Sequence, residues 1–261
     1  MNPTRTVPPA DVDFGNKMDV LITESTYASV DHPSRHQIER EFMDGVTDIV
    51  EQGGRVLVPA FGVGRSQEMI SVLKAHNFPY PVMLDGMART VTDIFMESIG
   101  SLNEPDLFAK AVDSVTIMQS ERDRESALSQ PGVIVTPAGM LKGGPSVKYS
   151  EAIAKKSKDA IFLVSYQVEG TPGATLLKEK ILPLGGRIVR VKAKIKQFDF
   201  SSHNGKRDYV RLAKITNPEY AFIVHGSRDN VDFLAQELTE VGIPHVIKPK
   251  VGESYDIGTK A

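Results

Sequence analysis

Six short, uniformly apolar runs recur along this chain, each followed by a turn and a stretch with helical spacing, and this alternation constrains the fold more than any other feature. They are Val20-Leu21-Ile22-Thr23, Arg55-Val56-Leu57-Val58, Pro81-Val82-Met83-Leu84, Val133-Ile134-Val135-Thr136, Ile161-Phe162-Leu163-Val164 and Ala221-Phe222-Ile223-Val224. Runs without polar alternation belong to strands covered on both faces, as in parallel sheets. The clearest helix begins after Ser34, where Ser34 and Gln37 have the spacing of a capping box. Ile38, Phe42, Val46, Ile49 and Val50 form its apolar face, and Gly53-Gly54 ends it. Repeated strand-helix alternation predicts an α/β fold with a doubly wound, mainly parallel sheet and right-handed crossovers.

Residues 187–198 depart from this pattern and read as one long strand. Val189, Val191, Ala193 and Ile195 point one way, and Arg190, Lys192, Lys194 and Lys196 the other. Such a row serves either as a basic strip beside an RNA path or as an edge strand defended by lysines; edge defence is the commoner use and the reading adopted. The charged segment 119–129 reads as a solvated helix.

At 261 residues and 41% hydrophobic composition, the chain has material for one large α/β domain or two smaller ones. The absence of cysteine excludes disulfides, thiolate zinc sites and cysteine nucleophiles, so any metal here uses His, Asp or Glu, and a reducing cytoplasm is the expected compartment. The first twelve residues contain no apolar core of a secretory signal. No run approaches the ~18 apolar residues of a membrane span, so no membrane association is expected. A formal charge of -2 gives no global attraction to nucleic acid, and RNA binding would come from local clusters.

The chemistry concentrates in two histidines 22 positions apart, in Phe200-Ser201-Ser202-His203 and Ile223-Val224-His225-Gly226, together with Glu24 in Thr23-Glu24-Ser25-Thr26-Tyr27. Residues following strands reach the C-terminal edge of an α/β sheet, where such folds place their sites. Either histidine alone reads as a hydrogen-bonded structural residue; their joint strand-end setting points to function. His76 and His245 read as surface or packing residues, and His32 and His36 as neighbours of the Glu24 segment. Gly62-Val63-Gly64-Arg65-Ser66-Gln67-Glu68 follows a strand and opens a helix, a setting for a phosphate or for a plain tight turn with Arg65 tethering an acid. It lacks the third glycine of a dinucleotide fingerprint and the Gly-Lys-Ser/Thr of a P-loop. Pro137-Ala138-Gly139-Met140, with Lys142 beyond it, and Glu169-Gly170-Thr171-Pro172-Gly173 are similar turns. Together the three would line a groove suited to a phosphodiester chain.

Five motifs in this order resemble those of the β-CASP metallo-β-lactamase ribonucleases, with the archaeal cleavage and polyadenylation specificity factor-like proteins most similar. They are Leu21 to Tyr27, Val58 to Glu68, Ser165 to Thr171, Phe200 to His203 and Ile223 to Gly226, within a likeness that spans Met18 to about Ile257. The resemblance implies phosphodiester hydrolysis at a two-zinc site. It gives Glu24 the role of the motif A acid, His203 that of the motif B histidine paired with it at the scissile phosphate, and His225 that of a zinc ligand. It also implies an RNA path past the turns at Gly64, Gly139 and Gly170, with RNA, and a homodimer or homologous subunit, as partners; turn position then gives Gly64, Arg65, Ser66, Gly139, Lys142, Glu169, Gly170, Thr171, Ser201 and Ser202 as the expected RNA contacts.

The family's His-x-His-x-Asp-His zinc motif, its next ligand histidine and its bridging aspartate are absent from this chain. Asn2-Pro3-Thr4-Arg5 resembles the segment just after that aspartate. The implied architecture is therefore a β-CASP domain at 30–186 inserted in the rear half of a metallo-β-lactamase αββα domain, represented by 1–29 and 187–261. Lacking its front half, that domain would expose apolar surface. Three functions stay open: part of a zinc-dependent ribonuclease, inactive by itself; a non-catalytic RNA-binding or scaffold subunit; and an unrelated nucleotide-binding protein using the Gly62–Gly64 turn.

Overall fold

The computed structural model describes residues 4–7 and 18–258. They form two compact units, one of 18–32 and 202–258, the other of 4–7 and Pro33–Ser201. The first strand, β1 (Val20–Glu24), belongs to the smaller unit. The larger unit opens with α1 (Arg35–Glu51), β2 (Arg55–Pro59), α2 (Arg65–Ala75) and β3 (Val82–Leu84). It continues through α3 (Ala88–Glu97), α4 (Pro105–Ser114), β4 (Thr116–Ile117), α5 (Glu121–Ala127), β5 (Gly132–Thr136) and α6 (Pro145–Ile153). Then come β6 (Ala160–Leu163), α7 (Pro172–Glu179), β7 (Ile181–Leu184), β8 (Arg187–Arg190) and β9 (Lys194–Gln197). The smaller unit resumes with α8 (Lys206–Thr216), β10 (Tyr220–Val224), α9 (Arg228–Glu240) and β11 (His245–Ile247).

In the larger unit six strands pair in the order β4-β3-β5-β2-β6-β9, every pair parallel. Successive residues of each strand face opposite layers. Val56, Val58, Val133, Val135 and Phe162 pack with Phe42 and Val46 of α1 and Met69 and Leu73 of α2. Leu57, Ile134 and Ile161 pack on the other side with Tyr149 and Ile153 of α6 and Leu176 of α7. Helices on both faces explain why β2 and β5 are buried at every position, as their uninterrupted apolar sequence predicts. The α1 helix starts as expected, with the Ser34 hydroxyl accepting from the Gln37 N–H at 3.3 Å. Only half of the capping box forms, because the Gln37 side chain donates forward to Glu41 instead.

The stretch 187–198 is two strands, not one. Gly185 and Gly186, at φ of +54° and +75°, make the two-residue turn that folds β8 antiparallel onto β7. The chain then changes partner: Lys192 and Ala193 donate to the Ala154 carbonyl and Lys194 to that of Asp159, which delivers β9 parallel to β6. Backbone groups over 187–197 thus find two different partners, which breaks the strand, although the predicted in-out alternation survives. β9 lies at a sheet edge with Lys194 and Lys196 exposed, the defended edge that its lysines predict. Both strands belong to the larger unit, which extends to Ser201.

Two polar clusters are built into this unit. Thr4–Val7 is held where Arg5 and Thr6 donate through their backbone N–H groups to the buried Glu68 carboxylate, while the Arg5 guanidinium pairs with Glu39 at 2.7 Å and Glu104 at 3.1 Å. At the start of β2, buried Arg55 pairs with Asp159 and donates to the Leu128 carbonyl. Asp159 also accepts from the Arg55 N–H at 3.0 Å, so one carboxylate fixes the entry of two adjacent strands. Removing one member of a buried pair leaves the other uncompensated. Asp159→Ala is expected to cost ~3–5 kcal/mol in urea unfolding of the larger unit; a loss below ~1 kcal/mol would show that Arg55 finds another partner.

Candidate active site

The smaller unit places Glu24, His203 and His225 through one sheet, ordered β1-β10-β11 and wholly parallel. The β1–β10 register sets Glu24 opposite Val224, so both chains leave the sheet at the same level. Ser25 then donates its N–H to the His225 carbonyl at 3.1 Å. Gly226 lies against Ser25 so closely that a Cβ there would stand 2.2 Å from the Ser25 hydroxyl oxygen. His225 turns out of the strand with φ of +46°, and its Nδ1 lies 3.2 Å from the Thr26 hydroxyl. Asn230, in the first turn of α9, braces this turn by donating to the Thr26 carbonyl at 2.7 Å.

His203 arrives in the turn before α8. That turn is tied to the loop after β1, with Lys206 donating its N–H to the Val30 carbonyl and Arg207 its N–H to Asp31. The result places His203 Nδ1 3.4 Å from Glu24 Oε1, and its ring stacks on that of His225 with centroids 6.1 Å apart. The sequence expectation that these three residues meet holds in the geometry of one unit.

Glu24 is the electrostatic centre. Burial pushes its carboxyl up, but hydrogen bonds from His203, Thr26 and Tyr209 outweigh that and bring it down to about 2. The Thr26 N–H donates to Oε2 at 2.6 Å, and the Tyr209 hydroxyl donates to Oε1. Tyr209 is itself pushed well above the usual phenol range by burial and by its bond to the Glu24 carboxylate. A carboxylate fixed by several donors orients the imidazole beside it, and the outer nitrogen of that ring is then directed away as a proton donor or acceptor.

Tyr209 was not singled out from the sequence. It lies on the inward face of α8 with Ala213 and Thr216, and such a position reads as core. The available signal was its place one helical turn into α8, close after the motif histidine.

The other expected residues, apart from Ser202, lie in the larger unit. Gly64, Gly139 and Gly170 fall in turns after the adjacent strands β2, β5 and β6, on the C-terminal edge of the sheet. The turns interlock: Gly139 packs on the backbone of Ala60 and Phe61, and the Gln167 amide donates to the Gly139 carbonyl at 3.1 Å. Gly64 and Gly170 take positive φ with open space around them, and Lys142, Glu169 and Gly170 are exposed. Ser66 and Thr171 are buried, their hydroxyls donating to the Phe61 and Val168 carbonyls, so a contact of theirs with RNA would compete with those bonds. Arg65 is half-buried, in the first turn of α2. Ser201 is buried in the larger unit, and Ser202 is exposed in the smaller one.

The Beta-Casp domain matches residues 66–176, and the Zn-dependent metallo-hydrolase RNA specificity domain matches residues 188–249. The chain belongs to the β-CASP family. Among curated β-CASP relatives, "RNase aCSPSF2" of Saccharolobus solfataricus is 44% identical over 257 residues, which cover 97% of this chain and 51% of that protein. "Probable RNase MJ4" of Methanocaldococcus jannaschii is 33% identical over 97% of this chain and 60% of its own length. "Integrator complex subunit 11" of Gallus gallus is 28% identical over 92% of this chain and 42% of its own length. The chain spans about half the length of the first two relatives.

The family implies zinc, whose ligands in a chain without cysteine are His, Asp or Glu. Among the described residues no group of three His, Asp or Glu side chains is placed to hold a metal. His225 is one imidazole, and a catalytic zinc needs about three protein ligands. The described residues by themselves do not fit a zinc centre.

The depressed Glu24 carboxyl sets a pH window. With an ordinary value of 4.5 and a folded value of about 2, its contribution is fully present above pH 4.5 and is lost as pH falls toward 2. The stability difference between the native chain and Glu24→Gln in urea is expected to be roughly 1–3 kcal/mol at pH 6 and to shrink steadily below pH 4.5. A difference that stays constant from pH 6 to pH 2.5 would contradict the bonding described. Tyr209→Phe, which removes one donor to Glu24, is expected to cost ~1–2 kcal/mol at pH 7 and to weaken the same pH dependence.

Proposed function

We propose that this chain is part of an RNA-processing ribonuclease that hydrolyses phosphodiester bonds, with Glu24 and His203 as its catalytic pair. His225 is proposed as one zinc ligand, the others being supplied by polypeptide outside the described residues. In this reading 1–29 and 187–261 are a portion of a metallo-β-lactamase domain, and the β-CASP domain at 30–186 is inserted in it. The turns at Gly64, Gly139 and Gly170 are proposed as part of the RNA path. Among the described residues no helix is long and apolar enough to cross a membrane, and a cytoplasmic location stays part of the proposal.

The observation that carries the reading is the contact of Glu24 with His203 at the end of a sheet that, among the described residues, is open on one side. Leu21, Ala221 and Ile223 pack against α8 and α9, whereas Ile22, on the opposite face, is 69% exposed and Val224 is also exposed. Among the described residues β1 has only β10 beside it. Parallel sheets are ordinarily covered on both faces, and an unpaired apolar edge invites a further strand. The surface is therefore suited to additional polypeptide, from the same protein, a homologous subunit or a second copy. A second reading, a non-catalytic RNA-binding or regulatory subunit, is favoured by the lack of a metal-holding group among the described residues.

Fusing the unmatched front part of the Saccharolobus solfataricus relative to this chain separates the two. The folded, zinc-loaded chimera is expected to cleave a labelled RNA, and His203→Ala or Glu24→Ala to slow cleavage ~100-fold or more. A folded chimera that binds RNA without cutting it would leave the regulatory reading standing. The chain alone is expected to bind a hydrophobic dye at its open face and to lose it in the chimera; equal dye binding by both would remove the argument from the open sheet.

A further inference from the structure

Besides the edge lysines of β9, the larger unit gathers a denser set of cations at the opposite end of its sheet from the Gly64, Gly139 and Gly170 turns. Lys155, Lys156 and Lys158 lie in the turn that precedes β6. Lys192 donates its backbone N–H to the Ala154 carbonyl at 2.6 Å, which draws the link between β8 and β9 against that turn. Val191 donates to the Lys180 carbonyl at 2.8 Å, which brings Lys180 beside Arg190 and Lys192. All six side chains are exposed, and among the described residues none of them forms an ion pair. The one carboxylate inside this segment, Asp159, is buried and committed to Arg55.

Edge defence accounts for Lys194 and Lys196 but not for lysines in the turn before an interior strand or at the end of α7. The negative ends of α6 and α7 favour a cation each and leave the rest of the cluster without an internal counter-charge. In a chain of net charge -2, six exposed cations drawn together by backbone bonds form a local positive field.

We propose that this surface is a second, sequence-independent contact for the RNA phosphate backbone, separate from the RNA-facing turns by at least the length of β6, about 13 Å. It rests on the proposed function only in taking RNA as the polyanion. Lysines on short turns, without neighbouring exposed aromatic rings in the cluster, suit phosphates rather than bases, so the surface adds affinity and salt dependence without sequence preference.

The test uses the full chain and an unstructured fluorescent 20-nucleotide RNA in zinc-free buffer, with binding followed by anisotropy from 25 to 300 mM salt. The variant Lys155→Glu/Lys156→Glu/Lys192→Glu is compared with a control of equal charge change at exposed positions elsewhere, Lys110→Glu/Arg122→Glu/Lys214→Glu, and with Arg65→Glu/Lys142→Glu at the turns. The expected result is a loss of ~10-fold or more in affinity for the first variant and of less than 3-fold for the control. The slope of log affinity against log salt is expected to flatten by about 2 for the first variant and to stay unchanged for the control, as three lost phosphate contacts require at about 0.7 each. Equal losses in variant and control would overturn the proposal, because net charge alone would then be acting. Loss only in the turn variant would overturn it and leave the RNA reading intact. No binding by the native chain at 25 mM salt would overturn both. Displacement of RNA by polyglutamate at equal charge concentration would reassign the surface to an acidic protein.

Discussion

The parallel pairing of β1 with β10 is the constraint on which the candidate site depends. Strands separated by nearly two hundred residues lie side by side in a register that ends both at the same level, and the residues just past their ends become neighbours without any further instruction. The Ser25 to His225 backbone bond continues the pairing one step beyond the strands, and the glycine at 226 lets the two turns touch. A side chain at 226 would push the turns apart and carry His225 away from Thr26. The geometry of the polar side chains is therefore inherited from the sheet and then refined by a few local bonds, among which those to Glu24 are the most consequential.

The two units solve the same packing problem to different degrees. In the larger one, every central strand is sandwiched, each face of the sheet has its own layer of helices, and buried charged groups pair with one another, as Arg55 does with Asp159. In the smaller one, among the described residues, helices cover a single face, and apolar residues of β1 and β10 stand open on the other. A parallel sheet in this state has an unfilled demand for burial.

Charge is distributed with a similar division of labour. Negative charge at the site is concentrated in one carboxylate whose ionised form is held by several donors, which keeps it available as an orienting partner over the whole ordinary pH range. Within the larger unit, acids that lie inside are matched by arginines, as Glu39 and Glu68 are by Arg5 and Arg35, while unmatched cations collect at the N-terminal end of β6 and β9. Matching inside and excess outside follow from the high cost of an unpaired charge in the interior and its low cost in water.

By itself, the sequence marked β2, β3, β5 and β6, because two-sided burial demands uninterrupted apolar runs and these are visible in any short window; it marked β1 and β10 by the same runs, although one face of their sheet is open. It determined the α1 boundaries through Ser34 and Gly53-Gly54, and it marked Glu24, His203 and His225 through their strand-end settings. It did not reveal that 187–198 divides between two partners, because the alternation of side chains continues through the break and only backbone pairing distinguishes one strand from two. Nor did it reveal Tyr209, whose helical position is that of a core residue until the fold brings its hydroxyl to Glu24. The convergence of lysines from 155 to 192 was decided by tertiary structure alone. Local patterning records which face of an element is buried, whereas partners distant in sequence are chosen by the fold, and hydrogen bonds between them leave no periodic trace in the chain.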